Sequence, residues 1–421
     1  MEAERDMRNV TEKDREILRE LAGRLAEIAA LPVQKETEKL YRAVNGLHMI
    51  RPIVLLDELP WNQLNAEGEL DLKCADEYLR GVEQSMRRTL YKWDHCRGDM
   101  LIEPYYDLRR EIHVGDMGIT IKETTLAADR TNHIVSHAYV DQLSTMESLE
   151  MLHVPEITVD DDLTQERYAL LDGIFGDILP IRVLGITGAG FYMPWDDLAM
   201  WRGVEPIYVD LYDDPELLHA FMRKYVDIRK ELLRREEEMG LLDAHLPNLH
   251  CTPGLVDDLP GEIKDGKVTR ANLWGRGTAQ MFASVSPRMH DEFEIEYAKE
   301  FFDGFGLVYY GCCEPLHEKI DIVKKLPNLR KISITPWADV RRAAEQMGGD
   351  FVLSRKPNPA SVAVAHLDEE ALRRDILETL EICRENGTSC DFVLKDISGV
   401  HYNPMNLTRW EQVVMETVRN F

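Results

Sequence analysis

The 421-residue sequence lacks a long hydrophobic run and a secretory leader. No stretch approaches the roughly 18 consecutive apolar residues that a transmembrane helix needs. The first twenty residues, MEAERDMRNVTEKDREILRE, are densely charged and contain no apolar core of the kind that signal peptides carry. We therefore expect a cytoplasmic protein that does not span a membrane.

Positive charge is scarce. The chain has 50 Lys and Arg residues against 76 Asp and Glu residues, for a formal net charge of −26. A surface of this sign repels nucleic acid and anionic membranes, so both are excluded as expected partners. With 44% hydrophobic residues the chain has ample material for a large core. A small-molecule ligand is the expected partner, and a homo-oligomer remains open.

Cysteine is present but not in metal-finger spacing. There are seven cysteines, an odd number, and no CxxC pair. In a large chain without a leader this favours free thiols over a disulfide framework. We expect most of the seven to be buried as small hydrophobes. The seven are Cys74, Cys96, Cys251, Cys312, Cys313, Cys383 and Cys390.

A dinucleotide-binding fingerprint is also absent. The glycines of GITGAG (185–190) are spaced GxxGxG instead of GxGxxG, and Pro194 follows before any helix can begin. We interpret this segment as a loop.

The second half of the chain alternates predicted strands with helices of ten or more residues, the pattern of βα units on a parallel sheet. Without a Rossmann loop, four such units in succession favour a barrel. We therefore predict an α/β fold, a (β/α)8 TIM-type barrel over 46–421 with a helical N-terminal extension over 1–45. The predicted strands are 51–56, 103–112, 133–143, 180–187, 246–250, 307–311, 329–335, 350–355 and 390–396, and the predicted helices include 215–239, 287–303, 316–326, 337–347, 368–386 and 404–418.

Barrel enzymes carry their active site at the C-terminal ends of the strands. The residues that end or follow the predicted strands are therefore the candidate functional residues. Thiolate and imidazole are the usual zinc donors, and a catalytic zinc keeps one open position. The predicted metal ligands are His250, Cys312, Cys313 and His401. The alternatives are that one of the adjacent cysteines faces the core, because successive strand residues alternate, or that the pair forms a turn without a metal.

Other residues at strand ends suggest acid–base and binding roles. Asp57, Glu58 and Glu314 are the candidate catalytic acids. The alternative for Asp57 and Glu58, which precede Pro60, is a capping role without catalysis. Arg355 and Lys356 are candidates for binding a carboxylate or phosphate, the alternative being a solvated turn. Tyr310 and Trp337 could wall a substrate pocket or belong to the core.

Three segments carry a resemblance to a known family: YYGCCEPLHEKIDIVKKLPNLRKISITPWADV, LSRKPNP and FVLKDISGVHYNP. They resemble the uroporphyrinogen decarboxylase superfamily over about residues 170–421, and within it a divergent branch similar to corrinoid-dependent methyltransferases. The resemblance implies a β/α barrel and a zinc site. Those methyltransferases have His-x-Cys at one strand end and a second Cys near the last strand. Here Tyr310-Gly311-Cys312 and KDISGVHY stand at these places, so a zinc site would have altered ligands.

The resemblance implies a zinc-dependent methyltransferase that moves a methyl group from a small donor to a corrinoid protein. O-demethylation of a methoxylated aromatic compound is the expected reaction. The alternative is a metal-free decarboxylase or lyase that holds a small carboxylate with Arg355 and Lys356. The arginine-rich substrate motif of the decarboxylase is absent, which argues against a porphyrinogen substrate. A binding module without catalysis is the third possibility, disfavoured by the ionisable residues at the strand ends.

Overall fold

The computed structural model describes residues 10–126, 135–259, 263 and 266–421. Its strands are β1 Ile53–Leu56, β2 Tyr106–Arg109, β3 Ile112–Val114, β4 Glu123–Leu126, β5 Ser136–Tyr139, β6 Ile157–Val159, β7 Ile181–Leu184, β8 Phe191–Tyr192, β9 Asn248–Leu249, β10 Thr252–Pro253, β11 Trp274–Gly277, β12 Leu307–Tyr310, β13 Leu329–Ile334, β14 Val352–Arg355 and β15 Ser389–Leu394. Its α-helices are α1 Glu12–Ala29, α2 Pro32–Asn45, α3 Glu77–Cys96, α4 Asp161–Leu171, α5 Pro194–Arg202, α6 Val204–Asp213, α7 Pro215–Glu238, α8 Pro287–His290, α9 Glu296–Phe302, α10 Ile320–Val323, α11 Val340–Met347, α12 Glu369–Asn386 and α13 Met405–Asn420.

A seven-stranded parallel sheet forms the centre of the molecule. Its strand order is β1-β15-β14-β13-β12-β11-β8, so five consecutive strands of the C-terminal half lie side by side. Every residue of β12, β14 and β15 is buried, as expected for strands covered on both faces. The prediction of parallel βα units is confirmed.

The sheet is open at β1 and β8. Among the residues that the structure describes, no strand pairing joins these two edges, so closure into the predicted eight-stranded barrel is not observed. The N-terminal strand β1 lies beside the last strand β15, with Ile53 opposite Asp391. This pairing places the C-terminal end of β1 beside that of β15, the last strand along the chain.

The N-terminal helices form as predicted, with residues 1–9 outside the described part. Helix α1 begins at Thr11, whose side chain and that of Asp14 cap each other's backbone. Leu18, Leu21 and Leu25 of α1 are buried in a cluster that includes residues of α3. Helix α2 begins with Pro32, which suits the first turn because it has no N–H to satisfy. Whether 1–45 is a separate domain stays a prediction.

Three predicted elements differ in the structure. Segment 133–143 has only β5 as a strand in its described residues; it pairs with β4 outside the central sheet. The helix predicted over 316–326 is reduced to α10, and that over 287–303 contains a π-helical turn at Asp291–Ile295 between α8 and α9. No helix among the described residues is long and apolar enough to cross a membrane.

The prediction that 246–250 is a sheet strand is wrong. Asn248–Leu249 pairs antiparallel with Thr252–Pro253 in a small hairpin. Pro247 and Pro253 flank this turn, and proline cannot donate to a central sheet ladder. The hairpin is nevertheless fixed to the sheet, because the Thr252 hydroxyl donates to Asp391 (3.0 Å) and accepts from Lys331 (2.9 Å). This attachment determines where His250 and Cys251 lie.

Candidate active site

A cluster of ionisable side chains lies where three strands of the sheet end. Cys312 and Cys313 follow β12, Lys395 and Asp396 follow β15, and Glu58 follows β1. The hairpin contributes His250, whose Nε2 lies 3.3 Å from Glu58 Oε1. We call these six residues the strand-end cluster.

The two thiols sit in a turn, not on the strand. Strand β12 ends at Tyr310, and Gly311 adopts φ +99°, a conformation that side-chain-bearing residues rarely take. Strand alternation therefore no longer applies, and the Sγ atoms of Cys312 and Cys313 lie 3.7 Å apart. Cys312 is buried and Cys313 partly exposed. The expectation that only one of them faces the site does not describe this turn.

Lys395 supplies a cation to both thiols. Its Nζ lies 3.2 Å from Cys312 Sγ and 3.7 Å from Cys313 Sγ, and it donates to Asp396 Oδ2 at 2.6 Å. The Cys313 thiol donates to the same carboxylate oxygen at 3.4 Å. The sequence placed Lys395 and Asp396 at a strand end but assigned them no role. Their signal was an adjacent acid and base at the end of a buried strand.

These contacts set the charges of the cluster. The thiol of Cys313 hydrogen-bonds to Cys312 and lowers the pKa of Cys312, with help from His250 and the charges of Lys395 and Arg276. The same hydrogen bond raises the pKa of Cys313. Burial lowers the pKa of Lys395, but the two thiols and Asp396 outweigh it and raise that pKa above its usual value. These contacts therefore favour the thiolate form at Cys312 over Cys313 and the ammonium form of Lys395.

The acids of the cluster have opposite shifts. Burial and the nearby Asp396 raise the pKa of Glu58. Burial also raises the pKa of Asp396, yet hydrogen bonds from Glu58 and Lys395 more than offset it, so this pKa is lowered. Of the two acids, Asp396 is the one whose ionised form these contacts favour.

Three donor groups of zinc-ligand type lie within 4.8 Å of one another: Glu58, His250 and Cys251. Cys251 is buried, and both it and Glu58 have a positive φ, as does Asp396. Such backbone conformations are costly for non-glycine residues and are often found at functional sites. The sequence predicts Cys251, beside His250, either as a possible zinc donor or as a residue that faces the core, and the four predicted metal ligands did not include it.

The remaining predicted acids have structural partners. Glu314 is fully buried and accepts hydrogen bonds from the Thr278 hydroxyl and from the backbone N–H groups of Ala279 and Cys312. It thus holds the cysteine turn against the end of β11. Asp57 accepts from the Glu58 N–H and lies 3.9 Å from Lys92.

The other predicted residues lie away from the thiols or are occupied. His401 is exposed, and no hydrogen bond or ion pair in the described residues joins its side chain to the cluster. Arg355 donates to the Thr335 carbonyl and pairs with Asp375. Lys356 donates to the Cys251 carbonyl and to Ser354. The cationic groups of Arg355 and Lys356 are therefore already bound by other groups of the protein.

The two predicted aromatic residues have contrasting surroundings. Tyr310 is fully buried, and its hydroxyl lies 2.7 Å from His290 Nε2. Trp337 is 68% exposed. Tyr310 is part of the core beneath the site, whereas Trp337 is free to contact a ligand or partner at the strand-end face.

Two further charged residues near Cys312 were missed. Arg276 of β11 is buried with an unpartnered Nε, and its charge lowers the pKa of Cys312. Asp196 of α5 has a pKa raised to about 6, first by burial and then by Glu314 and Cys312. The sequence gives no signal that Arg276, a single arginine in WGRG, or Asp196, an acid in a helix, lies near Cys312.

No known family model matches the chain, and no curated protein matches it. The resemblance to the uroporphyrinogen decarboxylase superfamily therefore stays a prediction. Among solved structures the chain is similar to a methyltransferase from Methanosarcina mazei, with 12% sequence identity over 90% of this chain and 97% of that chain and a TM-score of 0.49.

Proposed function

We propose that the protein is a zinc-dependent methyltransferase that moves a methyl group from a small donor, such as a methoxylated aromatic compound, to a corrinoid protein. The observation that supports this most is the strand-end cluster itself. It combines a thiolate, an ammonium, an imidazole and two carboxyl groups at one end of a parallel sheet, the end where βα enzymes carry their chemistry.

The donors present fit a zinc ion. Catalytic zinc usually has three protein ligands from Cys, His and Asp or Glu in a tetrahedral arrangement with bonds of about 2.0–2.3 Å, so its donors lie roughly 3.3–3.8 Å apart. Glu58, His250 and Cys251 are of these types and their donor atoms lie within 4.8 Å of one another, so small side-chain movements would bring them to this spacing. We assign these three as the ligands, which differs from the set predicted from the sequence. Bound there, zinc would supply Lewis-acid polarisation of the methyl-bearing oxygen.

Lys395 supplies the charge that the departing oxygen needs. When a methyl group leaves an aryl ether, the oxygen keeps both electrons of the broken bond and becomes an oxyanion. An ammonium fixed beside the site stabilises such a developing charge. Lys395 is held in place by Asp396 and by the Cys312 sulfur.

The thiols act on the same site through Lys395. The Cys312 thiolate keeps Lys395 protonated, which preserves the cation through the reaction. A corrinoid on the partner would supply the methyl acceptor, whereas the residues of this chain position the donor and stabilise charge.

The test is an anaerobic assay in which cob(I)alamin stands in for the corrinoid protein. The zinc-loaded protein is mixed with a panel of methoxybenzenes and methoxybenzoates, and methylcobalamin is followed by its absorption spectrum. We expect methylcobalamin and the matching phenol in equal amounts. Absence of both across the panel, with zinc bound and the protein folded, would contradict the proposal.

A further inference from the structure

A cleft of about 1030 Å³ opens beside the strand-end cluster. Glu58 and Asp396 form one part of its wall, and the segment after β1 together with helix α3 forms the rest. Its apolar lining includes Leu59, Trp61 and Ile397. This volume lies at the upper end of the range of small-molecule pockets, roughly 300–1000 Å³, and an apolar lining with a few polar groups is typical of them.

Arg88 of α3 lines this cleft without a counter-ion. In the described parts of the chain no carboxylate pairs with it, whereas the adjacent Arg87 is paired with Glu83. Burial alone acts on the pKa of Arg88 and lowers it, so no anion compensates the desolvation. In a protein with a net charge of −26, a half-buried arginine without an acid is conspicuous.

The guanidinium is held in a defined place. Its central carbon lies 4.9 Å from the centroid of the Trp61 ring, a cation–π distance. Trp61 is itself fixed by an edge-on contact with Tyr91, at 6.0 Å between ring centroids. Asn62 also lines the cleft, and its buried side-chain nitrogen has no hydrogen-bond partner among the described residues. Arg88 is therefore a positioned cation of the cleft wall that no carboxylate of the described chain neutralises.

We infer that the cleft binds the donor as an aromatic carboxylate, with Arg88 holding the carboxylate and the apolar wall holding the ring. This inference rests on the proposed methyl transfer. A planar guanidinium binds a carboxylate through two parallel hydrogen bonds, which a flat aromatic acid can satisfy while its ring contacts Trp61.

The charges also orient the ligand. Arg88 is on the α3 part of the cleft wall, whereas the two acids Glu58 and Asp396 form another part, so a substrate carboxylate is attracted towards Arg88 and away from the acids. The opposite end of the molecule, which bears the methoxy group, is then directed to the Glu58 and Asp396 side of the cleft. Specificity for an acid over its neutral amide follows from the same arrangement.

The experiment measures binding of 4-methoxybenzoate and of its neutral counterpart 4-methoxybenzamide to the full chain by titration calorimetry. We expect the wild type to bind the acid at least about tenfold more tightly than the amide, the size of one charge-assisted hydrogen bond. Arg88→Gln should abolish this preference, and Arg88→Lys should retain part of it. Arg80→Gln, an exposed arginine on the same helix, should leave it unchanged.

Equal binding of acid and amide by the wild type, or an unchanged preference in Arg88→Gln, would overturn the inference. Circular dichroism melting of each variant shows that the fold is intact. Because no corrinoid is present, the result is separate from the proposed function. Acid-selective binding without methyl transfer supports the carboxylate site and contradicts the proposed function. Methyl transfer from 4-methoxybenzoate at an equal rate in wild type and Arg88→Gln supports the methyltransferase and contradicts the carboxylate site.

Discussion

The ammonium of Lys395 lies 3.2 Å from the sulfur of Cys312, although the two residues are 83 positions apart in the chain. The contact exists because β12 and β15 belong to one parallel sheet and both end at the same face. It makes Lys395 the fixed positive charge of the site.

Replacing Lys395 by Met removes this charge while keeping the length of the side chain. We predict that methyl transfer to cob(I)alamin falls about 100-fold, the usual effect of losing one group that stabilises an oxyanion. Lys39→Met, an exposed lysine on α2, serves as the control and should keep full activity. A Lys395→Met protein that is folded and fully active would remove Lys395 from the mechanism.

The turn that carries the thiols depends on Gly311. Its φ of +99° is unfavourable for alanine, and a Cβ atom there would lie 2.6 Å from Leu316 Cδ1. We predict that Gly311→Ala destabilises the protein by about 1–3 kcal/mol in urea unfolding. Gly81→Ala, in the open interior of α3, should instead stabilise it by about 0.5–1 kcal/mol. Equal effects of the two substitutions would contradict this role of Gly311.

The hairpin that carries His250 is fixed by Thr252. Thr252→Val keeps the shape but leaves the fully buried Lys331 and Asp391 each without one hydrogen bond. We predict a loss of about 1–3 kcal/mol in the free energy of unfolding. Thr124→Val, on the exposed strand β4, should change it by less than about 0.5 kcal/mol. A loss no larger than that of Thr124→Val would show that the hairpin is held by other contacts.

Glu103 gives a stability effect that depends on pH. Burial raises the pKa of Glu103, but hydrogen bonds from His245 and Arg182 lower it to about 2. Since this folded-state pKa is below the unfolded value of about 4.3, the ionised carboxylate stabilises the fold above pH 4.3 and loses that effect as the pH falls towards 2.

Glu103→Gln should therefore lower the unfolding free energy by about 1–2 kcal/mol at pH 7, with a deficit that shrinks between about pH 4 and pH 2. Glu20→Gln, at an exposed position of α1, is the control and should show no such trend. Unfolding is measured for both variants and the wild type from about pH 2 to pH 8, so that the range covers the folded-state pKa. A deficit that is constant with pH would contradict the ion-pair explanation.

The sequence predicted the C-terminal half of the sheet well because β12 to β15 alternate regularly with helical segments. It failed at 246–250, where the segment LPNLH belongs to a hairpin bounded by Pro247 and Pro253. Short apolar segments do not reveal their partners, which are set by tertiary contacts such as that of Thr252 with Asp391.

The sequence was enough to predict the two thiols of the candidate site but not the residues that contact them. Cys312 and Cys313 could be found because a strand ends beside them. Lys395 and Cys251 became important only through long-range contacts, with Cys312 and with Glu58 respectively. Single-sequence patterns contain no information on which strand ends are neighbours.

Zinc content is the most direct test of the central claim, which is that the strand end holds one catalytic zinc through Glu58, His250 and Cys251. The protein is expressed with zinc, dialysed against metal-free buffer and analysed by mass spectrometry of its metals. We predict one zinc per chain in the wild type and in Cys96→Ala, a cysteine as buried as Cys251, and loss of that zinc in Cys251→Ala. A folded wild type without zinc, or a Cys251→Ala variant that keeps it, would contradict the account.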